Sequence, residues 1–146
     1  MEPKFQVQLK IRKPAAEVFD AVVNPERLSR YFVQAASGPL AEGATVKWRF
    51  AEVPGEHDVV VRQVVKDERI VFESSAQSGD YATRVEMVFK PLDHQNTMVQ
   101  ISESGFREDP AGIEESYGNA GGWMHMMCSL KAYLEYGINL RAGGAC

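Results

Sequence analysis

Residues 121–137, GGWMHMMCSLKAYLEYG, indicate a helix with one wide apolar side. At 100° per residue, the apolar side chains from Trp123 to Ile138 fall within roughly 80° of one another. Such a stripe must be buried, either against a plain core or around a space that a guest molecule fills. Its members are Trp123, Met127, Leu130, Leu134 and Ile138, with Met126 and Tyr133 along one edge.

The segment before this stripe predicts a weak helix start. Asp109 and Pro110 suit the cap and first position of a helix. Gly118, Gly121 and Gly122 then lower helix stability, each by about 1 kcal/mol relative to Ala. We therefore expect a broken or loose opening, a regular helix from about residue 120, and an end in the glycines of residues 141–146, followed by a frayed tail.

The rest of the chain is dominated by strand patterns. Apolar and polar residues alternate in most of these segments, and the short polar connections favour antiparallel hairpins. Pro14 and Asn24-Pro25 begin two short helices between the first two strands. This order predicts an α+β fold in one domain over residues 1–146. Its six predicted strands are residues 5–13, 44–50, 57–65, 68–74, 82–90 and 96–106.

A twisted sheet of this kind would curve around the long helix and leave a gap toward one end. Gly121 and Gly122 would widen that gap, and the methionines adapt to irregular spaces or varied guests. The sheet face that would meet the helix carries Val46, Trp48, Phe50, Val85, Met87, Phe89, Val99 and Ile101.

Glu103 is the one unusual residue on that face, because it continues the inward series of Val99 and Ile101. An inward carboxylate must be paired or have a raised pKa, and it could bind a ligand or act as a general acid or base. The preferred interpretation is a wet strand end where Glu103 meets an arginine or solvent. His57 opens a strand and could also point inward, although a structural role is preferred.

Composition and motifs exclude several classes of function. The 16 Lys and Arg against 20 Asp and Glu give a net charge of −4, which argues against nucleic acid as the main partner. No metal-ligand spacing, phosphate-binding loop or nucleophile motif is present, so no cofactor is predicted. No segment has the roughly 18 apolar residues needed to insert across a membrane. Cys128 and Cys146 are the only cysteines, and the expected compartment is the cytoplasm.

Four stretches, in this order, carry a resemblance to a known family: KPAAEVFDAVVNPERLSRYF (13–32), VVKDERIVFE (64–73), TRVEMVFKPLDHQNTMVQISESGF (83–106) and GGWMHMMCSLKAYLEYG (121–137). Together they resemble the homologues of the activator of heat-shock protein 90 ATPase, in the START-like, birch-pollen-allergen-like superfamily. The resemblance covers nearly the whole chain.

This resemblance implies a helix-grip fold, in which a curved antiparallel sheet wraps around the long C-terminal helix and leaves a cavity between them. It also implies that Trp123, Met126, Met127 and Leu130 line that cavity. Family members commonly carry Trp at the position of Tyr31, so a more polar cavity mouth is expected here. The wider set of predicted binding residues is Tyr31, Phe32, Trp48, Phe50, His57, Phe89, Ile101 and Glu103.

The preferred function is binding of a small apolar, lipid-like molecule. One alternative is an enzyme that uses the same cavity, with Glu103 and His57 as acid–base groups, since some START-like proteins are cyclases or hydrolases. Another is an interaction module, either a homodimer or a chaperone accessory. The chaperone role is the weakest expectation, because the eukaryotic activator binds its chaperone through an additional N-terminal domain for which this sequence has no room.

Overall fold

A computed structural model describes residues 2–76 and 79–144, and it confirms the α+β helix-grip architecture. A curved antiparallel sheet has the strand order β1-β7-β6-β5-β4-β3-β2, and a long C-terminal helix lies against it. The strands are β1 (Phe5–Ile11), β2 (Ala35–Ala36), β3 (Thr45–Arg49), β4 (Glu56–Val65), β5 (Arg69–Ser75), β6 (Ala82–Pro91) and β7 (Thr97–Ser104). The helices are α1 (Ala15–Val23), α2 (Pro25–Leu28) and α3 (Pro110–Tyr136).

The described residues form seven strands where six were predicted. The additional strand, β2, is two residues long and pairs Ala35 with Arg49 and Ala36 with Trp48. So short a segment carries no alternation that a sequence pattern could show. Each of the six predicted strands is present, and a register shift between Val61 and Gln63 marks a bulge in β4. This bulge accounts for the apolar residues on both sides of that strand, since an inserted residue reverses the alternation.

Helix α3 is longer at its start than predicted, because it is continuous from Pro110 rather than from residue 120. The Asp109 side chain caps the first turn by accepting a hydrogen bond from the Gly112 N–H at 2.8 Å. Gly112 is packed so closely that an added Cβ would lie 2.1 Å from the Arg107 carbonyl oxygen. The cap and this close packing offset the loss of helix stability that the other glycines cause.

The end of α3 also differs from the expectation. Gly137 terminates the helix in the left-handed conformation, with φ of 67°, several residues before the glycines of the tail. Ile138, placed in the buried stripe by its spacing, is therefore outside the helix and 53% exposed. None of the helices in residues 2–76 and 79–144 is long and apolar enough to span a membrane.

The position of α3 on the sheet determines where space remains. The helix contacts β1 and β7, at one end of the strand order, whereas β3, β4 and β5 lie toward the other end. Met126, Met127 and Leu130 belong to the buried core on the C-terminal half of the helix. One to two turns earlier, the helix still reaches β7 through side-chain contacts, but open space separates it from β3, β4 and β5.

Ser129 places an unpaired polar group in this core. Its side chain is fully buried, and its hydroxyl has no hydrogen-bond partner among the described residues. We expect Ser129→Ala to raise the free energy of unfolding by about 1 kcal/mol, because it removes an unpaired polar group and improves helix propensity. Urea denaturation at neutral pH measures the change.

Ser116 supplies the matched control in the same helix. It is also buried, but its hydroxyl donates a 2.6 Å hydrogen bond to the Ile113 carbonyl oxygen. Ser116→Ala should therefore bring no comparable gain. Equal changes in the two variants would contradict the assignment of Ser129 as an unsatisfied group.

Candidate functional site

An open cleft with a volume of about 380 Å³ lies between the first half of α3 and strands β3, β4 and β5. Side chains of β7, of the segment after α2 and of the segment after α3 complete its walls. The lining residues are Phe32, Trp48, Phe50, Glu52, Val53, His57, Val59, Phe72, Ser74, Glu103, Gly118, Asn119, Gly122, Trp123 and Arg141.

Five aromatic side chains form one connected wall of the cleft. Phe32 is its centre, with ring centroids 5.6 Å from Trp48, 5.1 Å from Phe50 and 5.9 Å from Trp123. Phe72 joins Trp48 at 5.7 Å and Trp123 at 6.1 Å. Most of these pairs meet edge to face, an arrangement that aromatic rings prefer to a direct face-to-face stack.

Glu103 lies at the base of this wall and is 2% exposed. Its carboxylate accepts hydrogen bonds from the Thr83 hydroxyl at 2.6 Å, the Trp123 indole N–H at 2.9 Å and the Asn119 amide at 3.2 Å. The sequence prediction that Glu103 faces inward is thus confirmed by its burial. The preferred interpretation, a wet strand end where Glu103 meets an arginine or solvent, is wrong, because the carboxylate is buried and neutral side chains donate to it.

Burial is the largest influence on the Glu103 carboxyl and raises its pKa, because a low-dielectric surrounding disfavours the charged form. The hydrogen bonds from Thr83, Trp123 and Asn119 oppose this shift, and the nearby Glu115 adds to it. The pKa remains above the ordinary value. The neutral donors therefore offset only part of the effect of burial on this carboxyl group.

Two further polar atoms of cleft residues are buried without a hydrogen-bond partner among the described residues. They are Nε1 of Trp48 and Nε2 of His57. The His57 ring packs against Phe50 with centroids 5.5 Å apart. Leaving such atoms unpaired costs about 1–3 kcal/mol each, so polar groups in this region remain under-satisfied.

Arg141 lies at the cleft from the segment that follows α3. Its guanidinium donates a 3.0 Å hydrogen bond to Glu52, in the loop after β3, and contacts His125 at 3.3 Å. It also lies over two rings of the wall, 5.6 Å from the centroid of Phe32 and 5.9 Å from that of Phe50. A cation is thus already held against the aromatic wall at one side of the cleft.

Half of the residues predicted from the sequence line this cleft, and half do not. Those at the cleft are Phe32, Trp48, Phe50, His57, Glu103 and Trp123. Met126, Met127, Leu130, Phe89 and Ile101 lie instead in the closed core, because α3 is in contact with β1 and β7 along that part of its length. Phe89, for example, packs edge to face on Phe19 at 5.4 Å.

Tyr31 was expected at the cavity mouth, but it is only 1% exposed and does not line the cleft. Its hydroxyl donates a 3.0 Å hydrogen bond to the Ala21 carbonyl oxygen, and its ring stacks on Tyr133 at 5.3 Å. The buried partner satisfies the hydroxyl, so no polar mouth is needed to accommodate it.

Several cleft residues had no place in the prediction. Asn119 could have been found, because it lies one helical turn before Trp123 on the same face. Gly122 lines the cleft as the sequence predicted, but Gly118 does so in place of Gly121, and an added Cβ at Gly118 or Gly122 would meet no atom within 4 Å. Arg141 lies beyond the end of α3, where no periodic pattern indicates direction.

The remaining sequence expectations concern metals and cysteines. Within residues 2–76 and 79–144, no three His, Cys, Asp or Glu side chains come together as a candidate metal site. Cys128 is half-buried and carries a free thiol. Cys146 lies outside the described residues.

One protein family matches most of this chain. A family model described as "Activator of Hsp90 ATPase homolog 1-like protein" matches residues 12–135. No curated protein matches the sequence significantly. Many solved structures share the fold.

Three of these structures illustrate the likeness. Protein SSP2350 from Staphylococcus saprophyticus is 24% identical, with a TM-score of 0.79 over 94% of this chain and 96% of that one. The Aha1 dimer from Colwellia psychrerythraea is 20% identical, with a TM-score of 0.75 over 92% and 97%. DynU16, a putative protein in the dynemicin biosynthetic locus, is 23% identical, with a TM-score of 0.81 over 94% of this chain but only 49% of that one. At these identities the likeness establishes the fold.

Proposed function

The chain belongs to the Activator of Hsp90 ATPase homolog 1-like family, and we propose that it is a binding protein for a small, largely apolar molecule held in the cleft between α3 and the sheet. The observation that carries the proposal is the aromatic wall around a space of about 380 Å³. Ligand pockets are typically about 300–1,000 Å³, mostly apolar, with a few placed polar groups. The cleft fits this description, with Glu103, Asn119 and His57 as the polar groups.

The glycines of α3 support the same proposal. Gly118 and Gly122 line the cleft, and neither is required by a positive φ or a close backbone contact. Each lowers helix stability by about 1 kcal/mol relative to Ala. Their absence of side chains is what keeps this part of the cleft open.

The two tryptophans make the proposal simple to test, because both Trp48 and Trp123 line the cleft and the chain has no other tryptophan. The probe is N-phenyl-1-naphthylamine, a neutral aromatic molecule that absorbs where tryptophan emits. We expect saturable binding of one probe per chain, with energy transfer from tryptophan. We also expect chemical-shift changes at both indole N–H signals.

Two results would contradict the proposal. One is a linear, non-saturating probe signal. The other is a set of shift changes confined to residues away from the cleft, such as Tyr117 on the exposed side of α3.

A second candidate function is acid–base catalysis in the same cleft, with Glu103 as the proton-transfer group. The raised pKa of its buried carboxyl favours this candidate, since such shifts concentrate at catalytic sites. His57 lines the same cleft and could serve as a second group. A change in mass of a bound ligand during incubation with wild-type protein, absent with Glu103→Gln, would support catalysis over binding alone.

Self-association and a chaperone-accessory role are weaker proposals. One relative of the same fold is an Aha1 dimer, and this chain exposes Tyr136, Ile138 and Leu140 near the end of α3. Light scattering decides whether the chain is a dimer. The few cysteines support a reducing compartment such as the cytoplasm.

A further inference from the structure

We propose that the ligand of this cleft carries a protonated amine, which the Glu103 carboxylate and the surrounding aromatic rings recognise together. This inference rests on the proposed binding function and names the chemical class of the molecule bound. A buried carboxylate beside several ring faces is the combination that favours an organic cation over a neutral or anionic molecule.

Glu103 has no cationic partner among the described residues. Its hydrogen bonds come from neutral groups, and no Lys, Arg or His in the described part of the chain forms an ion pair with it. The indole N–H of Trp123 and the amide N–H of Asn119 can only donate, so Glu103 is the acceptor in both contacts, and its ionised form is the stronger acceptor. A buried charge without a cation is costly, and a cationic ligand would supply the missing partner.

The weakest contact to this carboxylate comes from Asn119 on the cleft side. Oε1 accepts from Trp123 at 2.9 Å and from Asn119 at 3.3 Å, and Oε2 accepts from Thr83 at 2.6 Å and from Asn119 at 3.2 Å. These contacts fill the roughly four acceptor positions of a carboxylate, but the single Asn119 nitrogen is divided between both oxygens at long distances. Glu103, Trp123 and Asn119 all line the cleft. An ammonium group, which has three donors and a full positive charge, could take the place of the Asn119 amide from the cleft side.

The charged side chains around the cleft also favour a cationic ligand. Arg141 and Glu52 form an ion pair at 3.0 Å, so their charges offset one another. When Glu103 is ionised, the charges of Glu52, Glu103 and Arg141 in the lining therefore sum to −1. A fatty-acid carboxylate near Glu103 would be repelled, whereas an ammonium would be attracted.

The aromatic wall already accommodates a cation. The Arg141 guanidinium lies within 6 Å of the Phe32 and Phe50 ring centroids. The Trp123 ring belongs to the same wall, 5.9 Å from the Phe32 centroid, and its indole N–H donates to Glu103. The wall thus extends from the arginine to the carboxylate.

Three probes with the same ring system test the inference: 2-naphthylmethylamine, 2-naphthylmethanol and 2-naphthoate. They differ in charge at nearly constant shape, and tryptophan fluorescence reports their binding. At pH 7 we expect the amine to bind about tenfold to a hundredfold more tightly than the alcohol, and the carboxylate to bind most weakly. Glu103→Gln should reduce the ratio of amine to alcohol affinity to about one.

Glu115→Gln is the matched control, because it changes the net charge by the same amount. Glu115 accepts a 3.0 Å hydrogen bond from the Tyr81 hydroxyl and does not line the cleft. The preference for the amine should persist in this variant. Its loss there to the same extent would show a general negative field rather than recognition by Glu103.

The outcomes separate this inference from the binding function. If none of the three probes binds, the proposed function itself fails. If the alcohol or the carboxylate binds as tightly as the amine to the wild-type protein, the inference is overturned while the binding function stands. The wild-type comparison decides the matter even if Glu103→Gln does not fold.

Discussion

Replacing Gly122 by Leu is expected to lower the affinity of the cleft for any aromatic ligand by on the order of a hundredfold, because the isobutyl group would occupy the space that the ligand needs. Gly122 lines the cleft, and a Cβ added there meets no atom within 4 Å. The new side chain therefore points into open space rather than into packed neighbours. The loss is measured by titrating N-phenyl-1-naphthylamine into the variant and following energy transfer from tryptophan.

The same substitution should leave the fold intact or stabilise it. Gly122 is in the interior of α3, where replacing glycine with leucine improves helix propensity by somewhat less than 1 kcal/mol. The expected result is a variant that resists urea at least as well as the wild type and yet fails to bind. A loss of binding accompanied by unfolding would not support the proposal.

Gly121 provides a closely matched control, one residue away in the same helix. It is exposed, does not line the cleft, and would place a Cβ in open solvent. Gly121→Leu brings the same gain in helix propensity without filling the cleft. Its affinity for the probe should stay within about threefold of the wild type, a range that corresponds to about 0.7 kcal/mol. Equal losses in the two variants would show that helix rigidity, not cleft volume, controls binding.

The apolar period of α3 shows how far sequence reasoning reaches. It correctly predicts that Trp123, Met127 and Leu130 share one buried face of the helix. It cannot tell where along the axis the sheet departs from that face, because periodicity reports direction around a helix and not distance to a neighbour. As a result the methionines, predicted at the cavity, lie in the core, while Gly118 and Asn119 line the cleft.

Glu103 was predictable for the opposite reason. Strand alternation has a period of two, so the burial of Val99 and Ile101 fixes the direction of Glu103. Its partners come from β6 and α3, which are distant in sequence, and no local pattern pairs them with β7. The sequence could therefore predict an inward carboxylate but not the neutral donors that hold it.

Replacing Glu135 by Gln is expected to lower the free energy of unfolding at pH 7 by about 2 kcal/mol, because Glu135 joins the end of α3 to Arg12, the residue that follows β1. Its side chain is 2% exposed. It accepts a 3.0 Å hydrogen bond from the Arg12 backbone N–H, a 2.6 Å bond from the Arg12 guanidinium and a 2.6 Å bond from the Lys131 ammonium. Gln would retain one acceptor oxygen and present donors to these cationic donors.

The stabilisation by Glu135 depends on pH, and the shift in the Glu135 pKa determines whether it is lost at low or at high pH. Burial raises this pKa, but the hydrogen bonds from Lys131 and Arg12 outweigh it and lower the pKa from 4.5 to about 2. A lowered pKa in the folded state means that the stabilisation is complete above about pH 4.5 and is lost as the pH falls toward 2. The full pKa shift corresponds to about 3 kcal/mol in the free energy of unfolding. Because solvent partly screens Arg12 and Lys131, the expected contribution is about 2 kcal/mol.

Urea denaturation of the wild type and Glu135→Gln at pH 7, 4.5, 3 and 2 measures this dependence. The difference between the two proteins should be greatest at pH 7 and should shrink steadily below pH 4.5. Glu26→Gln is the control at pH 7, since Glu26 forms an exposed helical pair with Arg30 at 3.7 Å and should contribute at most about 0.5 kcal/mol. A difference for Glu135→Gln that stays constant down to pH 2 would show that packing, rather than the ionised carboxylate, holds α3 to β1.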